Sequence, residues 1–242
     1  MKVFIQSSPN KFPHNYNFFN AYEGFLDMGA EIVHFCNMTE LSESTKEDIV
    51  IGYVGTVRDR LFQLGIKITE IDYPEELKKY LGRKIWKSSI NTIANNPNLW
   101  PVFVKSIDNK RITGKVISSI HDLVGCGEAG DNAEVYCCEP INFVAEWRVF
   151  LRYGEILDVR PYKGDWRAHY DFKVIESCVK DYVTAPKGCS IDFGLTEDGR
   201  TLLIEVNDGY ALGCYGLNKY SYAKLLSARW AELTNTEDQY NF

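Results

Sequence analysis

The sequence predicts an α+β fold preceded by a small α/β unit that contains a parallel sheet. Strand and helix patterns alternate in the first 74 residues, which is typical of parallel βαβ units. From Trp100 onward the pattern changes to short extended segments, and tight-turn sequences at 153–155 and 197–200 join four of them in pairs. The predicted domains are therefore 1–74 and 75–242.

The first unit is predicted to contain strands at 3–5, 31–36, 49–53 and 66–71, with helices at 16–28 and 56–64. Tyr73-Pro74 ends this unit. A helix rich in Lys and Arg is predicted next, from about residue 75 into the region 88–94, and the run 95–98 breaks it. The remaining strands are predicted at 102–107, 113–118, 133–138, 147–153, 155–162, 189–195 and 201–206, and the remaining helices at 171–182 and 219–234.

The composition is that of a soluble globular protein, with 45% apolar and 25% charged residues. A net charge of −6 argues against general nucleic-acid binding. Neither a signal peptide nor a membrane-spanning stretch is expected, so we predict a cytoplasmic protein, in the host cytoplasm if the chain is viral. Seven cysteines without a C-x-x-C pair predict reduced, mostly buried thiols.

Two carboxylates and one amide form the sharpest candidate site. Asp192 lies in one strand of a predicted hairpin, and Glu205 and Asn207 end its partner. Side chains alternate along a strand, so Glu205 and Asn207 share a face. Such hard oxygen donors suit Mg²⁺ held jointly with substrate phosphates. The alternative is an ordinary polar hairpin with solvated acids, although the apolar neighbours of these acids make their burial without partners costly.

Basic side chains form a second pattern. Lys105 ends an apolar strand, where it can reach a phosphate as a point charge, or it can be a surface lysine with a partly buried stem. Arg148, Arg160 and Lys163 lie on the hairpin 146–163. Arg148 and Arg160 can face each other and bind a phosphate or carboxylate between them. The alternative for this pair is a solvated sheet face.

A connector between two strands carries an acid at each end. Glu139 follows the strand 133–138, and Glu146 opens the next strand. Such a connector can enclose a nucleoside, with backbone groups and Glu139 near the adenine and Glu146 on two ribose hydroxyls. The alternative is a solvated loop with two unrelated acids.

The order of these features resembles the ATP-grasp superfamily. A strand lysine is followed by an acid-flanked connector, a Glu-x-Arg strand and an Asp…Glu-x-Asn hairpin. Glu146 lies seven positions after Glu139. Glu205 lies thirteen positions after Asp192 and two before Asn207. These intervals are similar to those that peptide-type ligases of the superfamily use for adenine, ribose and metal.

The runs 103–105 and 146–151 look most like a phage-associated, amidoligase-like clade named for two arginines and a lysine. In this sequence those residues correspond to Arg148, Arg160 and Lys163. The resemblance covers about residues 81–217. It implies an ATP-grasp fold, in which two α+β subdomains grip ATP, preceded by a small α/β pre-ATP-grasp unit.

The resemblance also implies site residues, with ATP and Mg²⁺ as cofactors. The metal ligands would be Asp192, Glu205 and Asn207. The ATP-binding residues would be Lys84 (or, as the alternative, Lys87), Lys105, Glu139, Pro140, Ile141, Asn142 and Glu146. The catalytic residues would be Arg148, Arg160 and Lys163, which neutralise the transferring phosphate or the substrate carboxylate. The acceptor pocket would be lined by Asp208, Gly209 and Tyr210.

The sequence departs from the family pattern at two places. The usual glycine-rich phosphate loop is missing from 108–113, and Ser190 stands where an arginine often precedes the metal aspartate. Arg148 and Arg160 are the natural substitutes for these phosphate contacts. A G-x-G-x-x-G run at 125–130 does not open a helix, so we interpret it as a flexible loop rather than a dinucleotide site.

The predicted function is an ATP- and Mg²⁺-dependent ligase that joins a small-molecule or peptide carboxylate to an amine or thiol through an acylphosphate and releases ADP. Two alternatives stay open at this point. The same residues can support a phosphotransferase, and they can also belong to a nucleotide-binding module without turnover.

Overall fold

The computed structural model describes residues 2–107, 112, 114–126 and 132–242. Contacts divide the chain into two compact units. The larger unit contains residues 1–80 and 143–242, and the smaller unit contains residues 81–142.

The larger unit begins with a three-stranded parallel sheet. Its strands are β1 (Lys2–Gln6), β2 (Glu31–Phe35) and β3 (Ile49–Ile51), in the order β2-β1-β3, with helices α1 (Tyr16–Asp27) and α2 (Val54–Gln63) following β1 and β3. Asn15 caps α1, because its side chain accepts a hydrogen bond from the backbone N–H of Phe18 at 3.1 Å. The predicted parallel α/β arrangement is confirmed.

The strand predicted at 66–71 is wrong. Gly65, with φ +80°, follows the end of α2, and the N–H of Ile66 donates back to the carbonyl of Leu61 at 2.9 Å. Ile66 and Ile68 pack half-buried against the core. The apolar pattern of this segment therefore reflects packing against the core rather than strand pairing.

The smaller unit is built on a four-stranded antiparallel sheet. Its elements are β4 (Ile85–Ser89), α3 (Ile90–Asn95), β5 (Val102–Ser106), β6 (Lys115–Ile117) and β7 (Glu134–Cys138), with strand order β4-β7-β5-β6. One face of this sheet is buried against α3 through Ile93, Val104 and Cys137.

The Lys- and Arg-rich helix predicted from residue 75 into 88–94 is wrong. The structure has a 3₁₀ helix at Glu75–Tyr80, then β4, and α3 only from Ile90. Gly82 takes a left-handed conformation, with φ +62°, after the 3₁₀ helix, and the side chain of Ser89 caps α3. Lys84 therefore lies just before a strand and not on a helix.

The second sheet of the larger unit is antiparallel. Its elements are β8 (Phe143–Arg152), β9 (Glu155–Gly164), α4 (Phe172–Asp181), β10 (Gly188–Thr196), β11 (Thr201–Asp208) and α5 (Lys219–Thr234), with strand order β11-β10-β8-β9. The predicted turn between β8 and β9 is confirmed. Tyr153 and Gly154 both have positive φ, of 51° and 79°, as a two-residue type I′ hairpin turn requires.

One core joins the parallel sheet to α5 within the larger unit. It includes Ile5 from β1, Phe25 from α1, Phe150 from β8, and Tyr222 and Trp230 from α5. This packing holds α5, and the segment that precedes α5, beside the antiparallel sheet. None of the described helices is long and apolar enough to cross a bilayer.

All seven cysteines are free thiols, and six of them are buried. The prediction of mostly buried thiols is confirmed. Burial raises the pKa of Cys137, Cys178 and Cys189 to about 12, because a thiolate is poorly solvated there. Cys36 is the exposed member of the set.

We therefore expect one fast-reacting thiol in the native protein at about pH 8, where buried thiols stay protonated and inaccessible. Titration with an aromatic disulfide reagent checks this expectation, and denaturant should release the other six. Cys36→Ser is the control and should abolish the fast phase. Two or more fast thiols in the native protein would contradict the described burial.

Candidate functional site

Four charged residues form a row across the antiparallel sheet of the larger unit. Glu205 on β11 lies opposite Asp192 on β10, and Asp192 lies opposite Arg148 on β8. Arg148 in turn lies opposite Arg160 on β9. Cβ atoms of directly opposed residues in antiparallel strands are about 5 Å apart. The register thus brings together side chains that lie up to 57 positions apart in the sequence (205 − 148 = 57).

The centre of this row is a bidentate ion pair between Arg148 and Asp192. Nε of Arg148 donates to Oδ1 of Asp192 at 2.8 Å, and Nη2 donates to Oδ2 at 2.7 Å. The two side chains are 7% and 2% exposed. Burial opposes the charge of Arg148, but the hydrogen bonds and the charge of Asp192 outweigh it and raise the pKa of the guanidinium. Burial also raises the pKa of Asp192, and the hydrogen bonds and charge of Arg148 oppose that rise. The bidentate geometry is that of a guanidinium–carboxylate ion pair.

The predicted metal ligands lie next to one another. Asn207 donates from Nδ2 to Oδ2 of Asp192 at 3.2 Å, and Glu205 is half-buried at the position opposite Asp192. Oδ2 of Asp192 thus accepts two hydrogen bonds and Oδ1 accepts one. Because a carboxylate oxygen has two lone pairs, Oδ1 keeps one for a cation.

Two carboxylates and an amide fit Mg²⁺, which prefers oxygen ligands and retains several waters. Among the residues that the structure describes, no group of three or more His, Cys, Asp or Glu side chains could hold a metal. A metal bound by this set would therefore rely on phosphate or water oxygens for its remaining ligands.

Glu146 and Lys163 form a second ion pair on the same sheet. They lie opposite each other on β8 and β9, and Nζ of Lys163 is 2.5 Å from Oε1 of Glu146. The Glu146 side chain is 10% exposed and that of Lys163 is 64% exposed. The predicted ribose acid and the predicted catalytic lysine therefore contact each other.

Arg160 is paired with Asp158 at 2.7 Å. Its Nε is buried and has no hydrogen-bond partner among the described residues. The predicted facing of Arg148 and Arg160 is confirmed by the register, but each guanidinium is bound to a carboxylate of the chain. The anion-binding role predicted for this pair stays a prediction.

Two tyrosines adjoin Arg148. Its Cζ lies 4.7 Å from the ring centroid of Tyr215 and 5.9 Å from that of Tyr162. Burial, and then the charges of Asp192 and Glu146, raise the pKa of the Tyr162 phenol, so its hydroxyl stays protonated. Tyr162 is not among the site residues predicted from the sequence. Its position two residues after Arg160 on the same strand was the available signal, because such residues share a face.

Two lysines of the smaller unit lie on either side of Tyr136. Lys87 on β4 and Lys105 on β5 both lie opposite Tyr136 on β7, and their Nζ atoms are 5.3 and 6.0 Å from its ring centroid. The three side chains share one face of the sheet. Lys84 lies just before β4, and its backbone N–H donates to Oε2 of Glu139 at 3.4 Å.

The predicted adenine segment follows β7 directly. Glu139 and Pro140 are exposed, Ile141 is half-buried and Asn142 is exposed. A largely exposed segment after a buried strand can be reached by a ligand, which is what the predicted role requires. That role stays a prediction.

The predicted acceptor-pocket residues pack against α5. Asp208 forms a bidentate pair with Arg229, with both N–O distances 2.6 Å. A Cβ at Gly209 would lie 2.1 Å from the carbonyl oxygen of Gly188, so the two strands approach too closely for a side chain. Tyr210 is 8% exposed and belongs to the core. Their role in an acceptor pocket also stays a prediction.

Two segments singled out from the sequence, 108–113 and the predicted loop at 125–130, lie mostly outside the described residues. This applies to 108–111 and 113 in the segment after Lys105, and to 127–130 in the glycine-rich run 125–130.

Comparison with known proteins identifies the fold. A family model described as "ATP-grasp domain, R2K clade family 2" matches residues 80–225. No curated protein matches the chain.

Three similar solved structures have low sequence identity but overlap with this chain over nearly its full length. D-cycloserine synthetase DcsG has 11% identity, covers 95% of this chain and 100% of its own, and has a TM-score of 0.59. The RimK domain ATP-grasp protein from Sphaerobacter thermophilus has 11% identity, coverage of 93% and 99%, and a TM-score of 0.56. D-alanine–D-alanine ligase from Bacillus anthracis, in complex with ATP, has 14% identity, coverage of 98% and 98%, and a TM-score of 0.54. The predicted ATP-grasp fold is confirmed.

The buried ion pair makes a stability prediction. Arg148→Met should lower the free energy of unfolding by about 3–5 kcal/mol, because it leaves the Asp192 carboxylate buried without a cation. Urea unfolding measures the change. The double variant Arg148→Met, Asp192→Leu should recover most of the loss, because it removes both charges. A loss below about 1 kcal/mol for the single variant would be that of an exposed pair and would contradict the described burial.

Proposed function

Because this chain belongs to the R2K clade of ATP-grasp domains, family 2, we propose that it is an ATP- and Mg²⁺-dependent ligase that forms an amide-type bond through an acylphosphate. Family membership and the ATP-grasp fold support an ATP-dependent ligase. The observation that carries the finer proposal is the row of Glu205, Asp192 and Arg148 across the sheet, with Asn207 bonded to Asp192.

The proposed reaction has two steps. A carboxylate oxygen of the first substrate attacks the γ-phosphorus of ATP, and the bond to the β–γ bridging oxygen breaks, which releases ADP. The amine or thiol of the second substrate then attacks the acyl carbon. Phosphate leaves with the former carboxylate oxygen, and the nucleophile loses its proton.

The residues of the larger unit supply the electrostatic part of this reaction. Asp192, Glu205 and Asn207 would hold Mg²⁺, which neutralises phosphate charge when bound. Arg148 uses Nε and Nη2 for Asp192, so its Nη1 is the nitrogen left to donate to a phosphate oxygen. Glu146 would accept hydrogen bonds from the ribose hydroxyls, and Lys163 forms an ion pair with that carboxylate.

The residues of the smaller unit supply nucleotide contacts. Lys105 and a second lysine would bind ATP phosphates, and the segment 139–142 would meet the adenine. The register favours Lys87 over Lys84 as the second lysine, because Lys87 and Lys105 lie on one face on either side of Tyr136. Point charges on one face can meet the same polyphosphate.

We propose peptide or small-molecule carboxylates and amines as the substrates. The names of the similar structures include enzymes of small molecules and an enzyme bound to a peptide. One is a D-alanine–D-alanine ligase, one a D-cycloserine synthetase, and one a macrocyclase bound with a precursor peptide, which has 14% identity and a TM-score of 0.51. The boundary between a pre-ATP-grasp unit at 1–74 and an ATP-grasp domain at 75–242 stays a prediction, as do the cytoplasmic location and the phage association.

Nucleotide analysis with purified protein tests the proposed reaction. A ligase releases ADP in amounts equal to product only when a carboxylate and an amine or thiol are both supplied. ADP release with one acceptor would indicate a phosphotransferase, and no release with any pair, despite ATP binding, would indicate a binding module. Glu205→Gln, which keeps the side-chain shape but removes the charge, should abolish Mg²⁺-dependent turnover. Wild-type turnover in that variant would contradict the metal assignment.

The choice between the two lysines makes a separate prediction. Lys87→Ala should raise the Kd of ATP about 10-fold, which corresponds to about 1.4 kcal/mol, and Lys84→Ala should leave it within about 2-fold. Calorimetric titration with ATP and Mg²⁺ measures both Kd values. Each variant removes one lysine charge, so the two variants serve as matched controls for each other. The opposite order would assign the phosphate contact to Lys84.

A further inference from the structure

We propose that Tyr215, supported by Tyr162, is a positioning residue that holds the guanidinium of Arg148 and thereby orients the Asp192 carboxylate toward its cation. The inference deepens the proposed function and rests on it, since it takes Asp192 as a metal ligand. It assigns a role to two aromatic side chains that lie outside the acidic and basic motif.

The aromatic contacts lie on the same guanidinium that forms the buried ion pair. The rings of Tyr162 and Tyr215 are stacked, with centroids 4.9 Å apart and an interplanar angle of 19°. Cζ of Arg148 is 4.7 Å from the Tyr215 centroid. A cation–π contact contributes from about 0.5–1 kcal/mol at exposed sites to about 2 kcal/mol when desolvated. Here the guanidinium is buried while the ring is half exposed, so the contact favours one orientation of the guanidinium.

The backbone at Tyr215 is strained, and the rest of the fold holds it in place. Its φ is +41°, a left-handed value that costs about 1–2 kcal/mol for a residue with a side chain. The turn is closed by the N–H of Leu217, which donates to the carbonyl of Cys214 at 2.7 Å. Asn17 and Asn20 of α1 anchor it, at 3.0 Å to the Cys214 N–H and 3.1 Å to the Leu217 carbonyl.

Strain of this kind persists only where surrounding contacts fix it, and it is concentrated at functional sites. Tyr215 is 45% exposed, so burial of its ring is too incomplete to explain the strained turn. What the turn achieves is the placement of the ring against Arg148. This is the observation that connects Tyr215 to the row of charges.

The consequence for Asp192 follows from its lone pairs. With Arg148 and Asn207 in place, Oδ1 has one lone pair left and Oδ2 has none, so a cation meets one oxygen from one direction. If the guanidinium tilts, the carboxylate rotates with it, and the free lone pair of Oδ1 no longer points toward the cation. Residues that orient a ligand in this way typically change metal affinity 10–100-fold when removed.

The test is the affinity for Mg²⁺ in the presence of ADP, measured by calorimetry on the full chain, which needs no substrate and no turnover. Tyr215→Ala should raise the Kd of Mg²⁺ about 10–100-fold. Tyr215→Phe keeps the ring and should restore the affinity. Tyr215→Leu keeps side-chain bulk without the aromatic face and replaces the alanine variant if that variant unfolds.

A second tyrosine provides a matched control. Tyr153 also has a positive φ, of 51°, and its ring lies 4.8 Å from Cζ of Arg152, away from the row of charges. Tyr153→Ala therefore removes the same kind of contact and should leave the Kd of Mg²⁺ unchanged. An equal loss in both alanine variants would indicate a general effect on the fold and would overturn the inference.

A double-mutant cycle separates positioning from independent effects. Arg148→Lys keeps the charge but loses the planar fork, so it should weaken Mg²⁺ binding by itself. Adding Tyr215→Ala to it should cause little further loss, because Tyr215 acts through Arg148. Fully additive losses would overturn the inference. The inference would also be overturned if Tyr215→Ala kept its Mg²⁺ affinity while Glu205→Gln lost it. If Glu205→Gln kept its Mg²⁺ affinity, the proposed metal site would be wrong instead.

Discussion

The buried ion pair between Arg148 and Asp192 is the constraint on which the site depends. Two charges are removed from water at the centre of a sheet, at a cost that only good geometry and additional hydrogen bonds offset. The pair meets that condition, since both oxygens of Asp192 accept from Arg148 and Asn207 also donates to it. Removing either side chain would leave the other as an unpaired buried charge. Because the pairing of β8 with β10 places the two side chains opposite each other, the geometry of the site depends on the register of the sheet.

The same pair is relevant to one departure from the family pattern. The arginine that often precedes the metal aspartate is Ser190 in this chain, on the same strand as Asp192. Arg148 on the neighbouring strand β8 places a positive charge beside Asp192, and its role as a substitute for that arginine stays a prediction. Its position opposite Asp192 depends on strand pairing, not on sequence proximity. A guanidinium with three nitrogens can bind the carboxylate with two and keep the third for an anion.

Much of the fold was predictable from local patterns. The helix at 219–234 is signalled by its good helix formers, such as Ala, Leu, Lys and Arg, and the hairpin turn at 153–155 is signalled by Gly154, which tolerates positive φ. The errors at 66–71 and after residue 75 arose where local composition was ambiguous. Ile66 and Ile68 pack against the core without pairing, and Lys-rich composition concealed the strand Ile85–Ser89, whose identity depends on its partner β7.

The sequence by itself determined which chemical groups are present and in what order, because the spacing of Glu139, Glu146, Asp192, Glu205 and Asn207 is a property of the chain alone. It also determined which strands form hairpins, since turn chemistry is local. Only the tertiary structure decided which charges neutralise one another, that Lys163 binds Glu146, and that Tyr215 covers Arg148. Those contacts join distant segments, and their geometry depends on strand register and on the packing of α1 and α5, which no local pattern encodes.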